Sequence, residues 1–266
     1  MAKRLTGRRG VAGGRSRASI DVSEPCASPR VWLFDLDDTL HNASAWAFGQ
    51  INRAMTDYIV RELVVTEPDA DALRRRYWQR YGATLLGLMR HHAVRAPHFL
   101  HHTHVLPGLE AAVQAHPHDV AALRRLCGRK YVLTNAPARY AERVLRQLGL
   151  AGCFDGVLSI EQMRMFGHWR PKPDRRMFRA LLARLKVPPS RCVLVEDTLA
   201  HQKAAHSLGM HTVWMLRWHR RSSVGCPAGG RPNRGRRPSY VCDRIHGLQQ
   251  LSRLPGLVPC PSSPTN

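Results

Sequence analysis

The sequence predicts an α/β fold, a doubly wound and mostly parallel sheet with an inserted all-helical segment. Three observations predict it. Short apolar runs of strand type alternate with segments of helical periodicity, the pattern of a parallel sheet covered on both faces. The clearest runs end in reactive or polar groups instead of turn residues. One long stretch, 42–115, has helical spacing and no convincing strand.

Strands are expected at 31–35, 130–134, 156–159 (the weakest), 192–196 and 211–215, with a short edge strand at 240–242. A helix over 139–148 places Tyr140, Val144 and Leu148 on one face, and Gly149 suits the C′ position. Further helices are expected over 175–185 and over 200–208, the latter stopping at Gly209. Within the insertion, Ile51, Met55, Tyr58 and Ile59 fall at helical spacing, as do Leu73, Tyr77 and Tyr81. A right-handed crossover needs only about a dozen residues, so the remainder must form structure of its own. Its place is over the carboxyl ends of the strands, where open α/β sheets bind ligands. The expected organisation is therefore a core of 30–41 and 116–254 and a helical cap of 42–115. A basic disordered tail is expected at 1–29, a mobile Arg/Gly/Pro-rich loop at 217–239 and a disordered end at 255–266.

No apolar run approaches the roughly 20 residues that span a membrane. Arg8 and Arg9 are followed by no apolar h-region, which argues against an export signal. The seven cysteines are odd in number and contain no C-x-x-C pair, so neither a disulfide framework nor a zinc site is indicated. A reducing cytoplasm is the expected location. The net charge of +22 is concentrated at the flexible segments: 1–30 carry seven Lys/Arg against two acids, and 217–239 carry seven Arg and no acid. Such charge attracts polyanions. Neither segment interleaves aromatics with its charge as stacking on bases requires, so nucleic acid is not the expected partner.

The chemistry lies at the strand ends. The first strand delivers Asp35 and, one residue on, Asp37. Carboxylates packed this closely repel unless a cation sits between them, which implies a metal. The second strand ends in Thr134-Asn135 and the fourth in Glu196-Asp197. Lys172 stands between Pro171 and Pro173, just before a helix. In a parallel sheet all of these converge on one edge. Together they suit phosphoryl transfer. Asp35 would attack phosphorus, and Asp37 would give and take the proton. Asp197 would complete the shell of a hard cation, most simply Mg²⁺. Glu196 would bind the metal or orient the site. Lys172, Thr134 and Asn135 would hold the phosphoryl group. The neighbouring carboxylate, Asp38, reads as a turn residue. His91, His92, His98, His101, His102 and His104 cluster in the insertion without Cys or Asp and read as structural.

At these residues the chain resembles the haloacid dehalogenase superfamily. The resemblance rests on Asp35-Leu36-Asp37-Asp38-Thr39, Thr134-Asn135, Lys172 and Glu196-Asp197, present in that order over about 31–254. It implies a Rossmann-like core with a helical cap, Asp35 as nucleophile, and the backbone carbonyl of Asp37 as a metal ligand. An acid at position 37 is what the phosphatases of the superfamily carry. The stretches 34–41, 80–88, 133–136 and 195–199 look like the pyrimidine 5′-nucleotidase branch, with His41 in place of a common Tyr and His201 in place of a common Asn. This implies a small phosphorylated substrate such as UMP or CMP, met by cap residues including Tyr81 and Gly82, and a monomer or homodimer. A sugar phosphate, phosphoglycolate or a mutase reaction is the enzymatic alternative. The alternative of another class is a basic nucleic-acid-binding protein with a vestigial site.

Overall fold

The structure is a computed structural model that describes residues 30–218, 237–254 and 257. The expected tail at 1–29 lies outside the described residues, as do 219–236 and most of 255–266.

Strand β1 (Val31–Phe34) is buried along its whole length, and its side chains alternate between two apolar layers. Trp32 and Phe34 face one layer with Val132, Val193, Val195 and Val213. Val31 and Leu33 face the other with Leu133, Cys192 and Leu194. The period of two explains why a run that looks uniformly apolar is a strand: both of its faces are covered.

After β1 the chain enters the helical insertion: α1 (Ala47–Leu63), α2 (Glu67–Tyr81), α3 (Thr84–His92) and α4 (Ala96–His104). Local sequence sets the limits of α2. The Thr66 hydroxyl accepts the Asp69 N–H at its start, and Gly82 ends it in the left-handed region at φ 77°. The insertion has its own apolar cluster, including Tyr58, Ile59, Tyr77, Leu85, Leu88 and Phe99. The flanks of the segment expected to form the cap, Ala43, Ala47 and Ile51 at one end and Leu106, Leu109 and Val113 at the other, pack instead with the sheet. Gly87 is where α2 and α3 press together: a Cβ there would lie 2.2 Å from Tyr77 Cγ and 2.5 Å from Tyr77 Cβ. The Tyr77 ring is 5% exposed and cannot swing away freely. Gly87→Ala is expected to destabilise the protein by about 1–3 kcal/mol, seen as a lower thermal midpoint with no change in the sheet.

The chain then returns to the core through α5 (Leu109–Ala112) and α6 (Pro117–Arg125) into β2 (Arg129–Leu133). Next come α7 (Ala138–Gln147), β3 (Gly156–Leu158), a hairpin of β4 (Arg164–Met165) and β5 (His168–Trp169), α8 (Arg175–Leu185) and β6 (Cys192–Glu196). The described core closes with α9 (Leu199–His206), β7 (His211–Met215) and β8 (Asp243–Ile245). Six strands form one sheet in the order β3-β2-β1-β6-β7-β8. Every pairing in it is parallel.

Most expected elements are present within a residue or two. The edge strand is displaced, running over Asp243–Ile245 and not 240–242. Val241 is apolar because it is buried, but it donates its N–H to Pro238 O at 3.0 Å in a turn. Two features expected to be flexible are packed. Arg217, at the start of the expected loop, pairs with Asp119 through a 2.8 Å bond, and Trp218 is buried beside it. Leu257, in the expected disordered end, is buried in the sheet's apolar layer. The β4–β5 hairpin was not expected. Its two-residue turn, Phe166-Gly167, has positive φ at both positions (49° and 80°), the geometry that two-residue hairpins favour.

Candidate active site

The register of the sheet assembles the site. Phe34 pairs with Val132 on one side and Val195 on the other. One residue beyond, Asp35 donates its N–H to Val195 O at 2.9 Å, and Thr134 donates to Leu158 O at 3.0 Å. The carboxyl ends of β1, β2 and β6 therefore finish side by side, with Asp35, Thr134 and Glu196 at their tips.

Lys172 reaches this edge from the segment between β5 and α8. Its ammonium donates to Asp35 Oδ1 at 2.6 Å and to Glu196 Oε2 at 2.8 Å, and the residue is 1% exposed. Its backbone is held just as firmly. Asn135 Nδ2 donates to Lys172 O at 3.0 Å, and Asn135 Oδ1 accepts from Lys172 N at 2.9 Å. Asn135, expected to face a phosphoryl oxygen, thus clamps the Lys172 peptide on both sides. The Thr134 hydroxyl oxygen accepts from Ala136 N at 3.0 Å, which leaves its proton free to donate elsewhere. Asp174 caps α8 by accepting from Arg176 N at 2.8 Å, so Pro173 precedes the cap and does not itself begin the helix.

Asp35, Glu196 and Asp197 bring carboxylate oxygens within 4.8 Å of one another. At an effective dielectric of about 20, two such charges repel by roughly 3–4 kcal/mol. Burial, and next the Glu196 carboxylate, push Asp35 well above the usual carboxylate range, with Lys172 opposing. Burial and Glu196 push Asp197 up in the same way. Burial works against charge on Glu196 too, but Lys172 and then His201 outweigh it and hold its pKa below normal. For Lys172, burial is outweighed by Asp35 and Glu196, so its pKa is raised and the ammonium stays charged. The all-oxygen donor set of Asp35, Glu196 and Asp197 suits a hard divalent ion.

Asp37 stands slightly apart. Its Oδ1 accepts the Tyr140 hydroxyl at 2.8 Å and lies 2.8 Å from His41 Nε2. Asp38 points away from this chemistry. Its φ is 56°, and its carboxylate accepts from Ser44 N at 2.9 Å and from the Ser44 hydroxyl, holding the turn. Thr39 Oγ1 lies 3.4 Å from Asp35 Oδ2.

Of the two cap residues expected near a substrate, Gly82 comes close to the site: a Cβ on it would lie 3.7 Å from Pro173 Cδ, next to Lys172. Tyr81 is engaged within the insertion, its hydroxyl 2.6 Å from His91 Nε2 and its ring flanked by Arg80 and Arg90. Of the clustered histidines, His98 lies 2.9 Å from the Tyr58 hydroxyl and His92 lies 2.7 Å from the Tyr77 hydroxyl, both structural contacts. Sequence reading missed Tyr140 as a site residue. It was placed on the apolar face of its helix, and its position in the first turn after a strand's carboxyl end was the available signal.

Residues 29–209 match the family model of the haloacid dehalogenase-like hydrolases. The chain belongs to this family. Among curated relatives, this hydrolase is 23% identical to Phosphate metabolism protein 8 of Saccharomyces cerevisiae over 210 residues, covering 73% of the chain and 64% of that protein. It is 34% identical to Fructose-1-phosphate phosphatase YqaB of Escherichia coli over 80 residues, covering 30% of the chain and 40% of that protein. The matched stretch is thus less than two thirds of the length of either relative. Among solved structures, the HAD phosphatase from Thermococcus onnurineus superposes with a TM-score of 0.54 at 20% identity, over 84% of this chain and 96% of that one. CbbY from Rhodobacter sphaeroides, in complex with phosphate, gives a TM-score of 0.54 at 18% identity over the same shares. These two share the fold. No helix among the described residues is long and apolar enough to cross a membrane.

Proposed function

We propose that this hydrolase is a Mg²⁺-dependent phosphomonoesterase that works through an aspartyl phosphate. The observation that carries the reading is the buried Lys172 ammonium, shared by Asp35 and Glu196 at 2.6 and 2.8 Å beside Asp197. Lys172 occupies Asp35 Oδ1, and among the described residues Oδ2 meets only the long Thr39 contact, so a carboxylate oxygen remains for attack. Asp35 forms a bond to phosphorus as the ester P–O bond breaks, and Asp37 gives its proton to the departing alkoxide. Water then attacks the acyl phosphate while Asp37 takes its proton. Inorganic phosphate leaves and the Asp35 carboxylate is restored. Lys172 and the Thr134 hydroxyl stabilise the charge on the transferred group, and Asn135 acts by fixing Lys172.

Asp35, Asp197 and the backbone carbonyl of Asp37 would hold the cation, which when bound supplies positive charge between the attacking carboxylate and the anionic phosphate. Glu196 fits the orienting role better than that of a ligand. Oε2 accepts from Lys172 and Oε1 accepts from Thr198 N at 3.1 Å, so both of its oxygens are engaged. The helical insertion acts as the cap that excludes water, with Gly82 at its point of approach.

The favoured substrates are pyrimidine nucleoside 5′-monophosphates, supported by the stretches 34–41, 80–88, 133–136 and 195–199. The second reading is a sugar phosphate, favoured by the likeness to a protein named fructose-1-phosphate phosphatase. A panel of phosphate esters decides between them. Phosphate release from UMP and CMP is expected to exceed that from fructose 1-phosphate and phosphoglycolate in Mg²⁺, and to fall to background with excess chelator. Preference for the sugar ester would select the second reading. Release from no ester would reject both.

A further inference from the structure

The buried contacts around Asp37 go beyond what the reaction requires. Two groups from different elements converge on a single carboxylate oxygen. Tyr140, in the first turn of α7, donates its hydroxyl to Asp37 Oδ1 at 2.8 Å across 103 residues of chain. His41, four residues after Asp37, places Nε2 at 2.8 Å from the same oxygen. The two groups also lie 3.4 Å from each other. Both are sealed from water, with His41 2% and Tyr140 1% exposed, whereas the Asp37 side chain keeps 17% exposure. The His104 ring, at the end of the helical insertion, meets the Tyr140 ring edge-on at 5.9 Å between centroids. Thr103 Oγ1 lies 2.8 Å from His104 Nδ1 and fixes that ring in turn.

A carboxylate has two oxygens. When Tyr140 and His41 both engage Oδ1, that oxygen is occupied and the plane of the group is fixed. Oδ2 is then the oxygen left to face the reacting ester. We propose that Tyr140 and His41 are positioning residues that pin Asp37 by Oδ1 and dedicate Oδ2 to proton transfer. The inference rests on the phosphomonoesterase reading and adds to it how the acid is aimed. Proton transfer requires the acid within hydrogen-bond reach and in line with the leaving oxygen, so a carboxylate free to rotate loses that alignment for much of the time.

The test uses leaving-group dependence, which a purely structural role would not change. Wild type and Tyr140→Phe are compared in the full chain with Mg²⁺, by kcat/KM on two alkyl esters, UMP and fructose 1-phosphate, and on p-nitrophenyl phosphate. The alkyl esters need protonation of a poor leaving group; nitrophenolate leaves with little help. Loss of aim in Asp37 should lower kcat/KM on the alkyl ester that is turned over by about tenfold or more, and on the nitrophenyl ester by less than about threefold. His41→Gln, which keeps a donor near the Nε2 position, should retain most of the alkyl-ester activity, and His41→Phe should lose it. Equal losses on both kinds of ester, or no loss on either, would overturn the positioning role while leaving the phosphatase reading intact. A wild-type chain inactive on all three esters overturns the phosphatase reading and this inference with it.

Discussion

Asp35→Asn is expected to abolish phosphate release, by a factor on the order of 10⁴ or more, while leaving the protein folded. An amide has no anionic oxygen to attack phosphorus, so the loss falls on the first chemical step. The fold should survive because the change is nearly isosteric and relieves a conflict. Asp35 is 6% exposed and shares its surroundings with the Glu196 and Asp197 carboxylates. Burial and Glu196 already work against its charge. The carbonyl oxygen of the substituted amide can still accept from Lys172, which keeps Glu196 as its second partner at 2.8 Å. The thermal midpoint should therefore equal or slightly exceed that of the native protein. A variant that turned over at the native rate would remove Asp35 from the role of nucleophile.

Lys172→Met is expected to have the opposite balance: lost activity together with a large loss of stability. The methionine fills similar volume but removes the one ammonium that Asp35 and Glu196 share. Breaking a buried ion pair by removing one partner typically costs about 3–5 kcal/mol, because the other charge is left uncompensated. Denaturant unfolding without added metal should show that drop. Adding Glu196→Gln to the same chain should recover much of the stability, since it removes one of the two stranded charges, and none of the activity. Contacting residues couple in this way and distant ones do not. A double variant no more stable than Lys172→Met alone would mean that the ammonium contributes to stability by packing and not by charge.

The residues at the strand ends were legible because their signal is local. A strand fixes the direction of its last residue, and Asp35, Thr134 and Glu196 each stand at the end of a short apolar run. Parallel pairing then brings distant strand ends together with no further information. Lys172 was legible for a different reason, since the flanking prolines marked a constrained segment before a helix. The edge strand was placed three residues early because Val241 is buried from a turn, and burial alone does not distinguish a turn from a strand. The β4–β5 hairpin is too short to leave a periodic pattern.

Partners were not legible where they depend on contacts between side chains distant in sequence. Asn135 read as a donor at a strand end, and only the folded chain brings the Lys172 peptide against both ends of its amide. Tyr140 read as one apolar residue among Val144 and Leu148. Its ring does pack in that layer, while its hydroxyl extends past it to Asp37. The sequence by itself determined the α/β core, the helical insertion and the acids and lysine at one sheet edge, because period and strand-end position are properties of a short stretch of chain. Only the tertiary structure decided which oxygen of each carboxylate is occupied, that Glu196 has both of its oxygens engaged, and that Asp37 is held by Tyr140 and His41. Those outcomes depend on distances of a few ångströms between elements as much as 137 residues apart, set by how the helices and loops pack on the sheet.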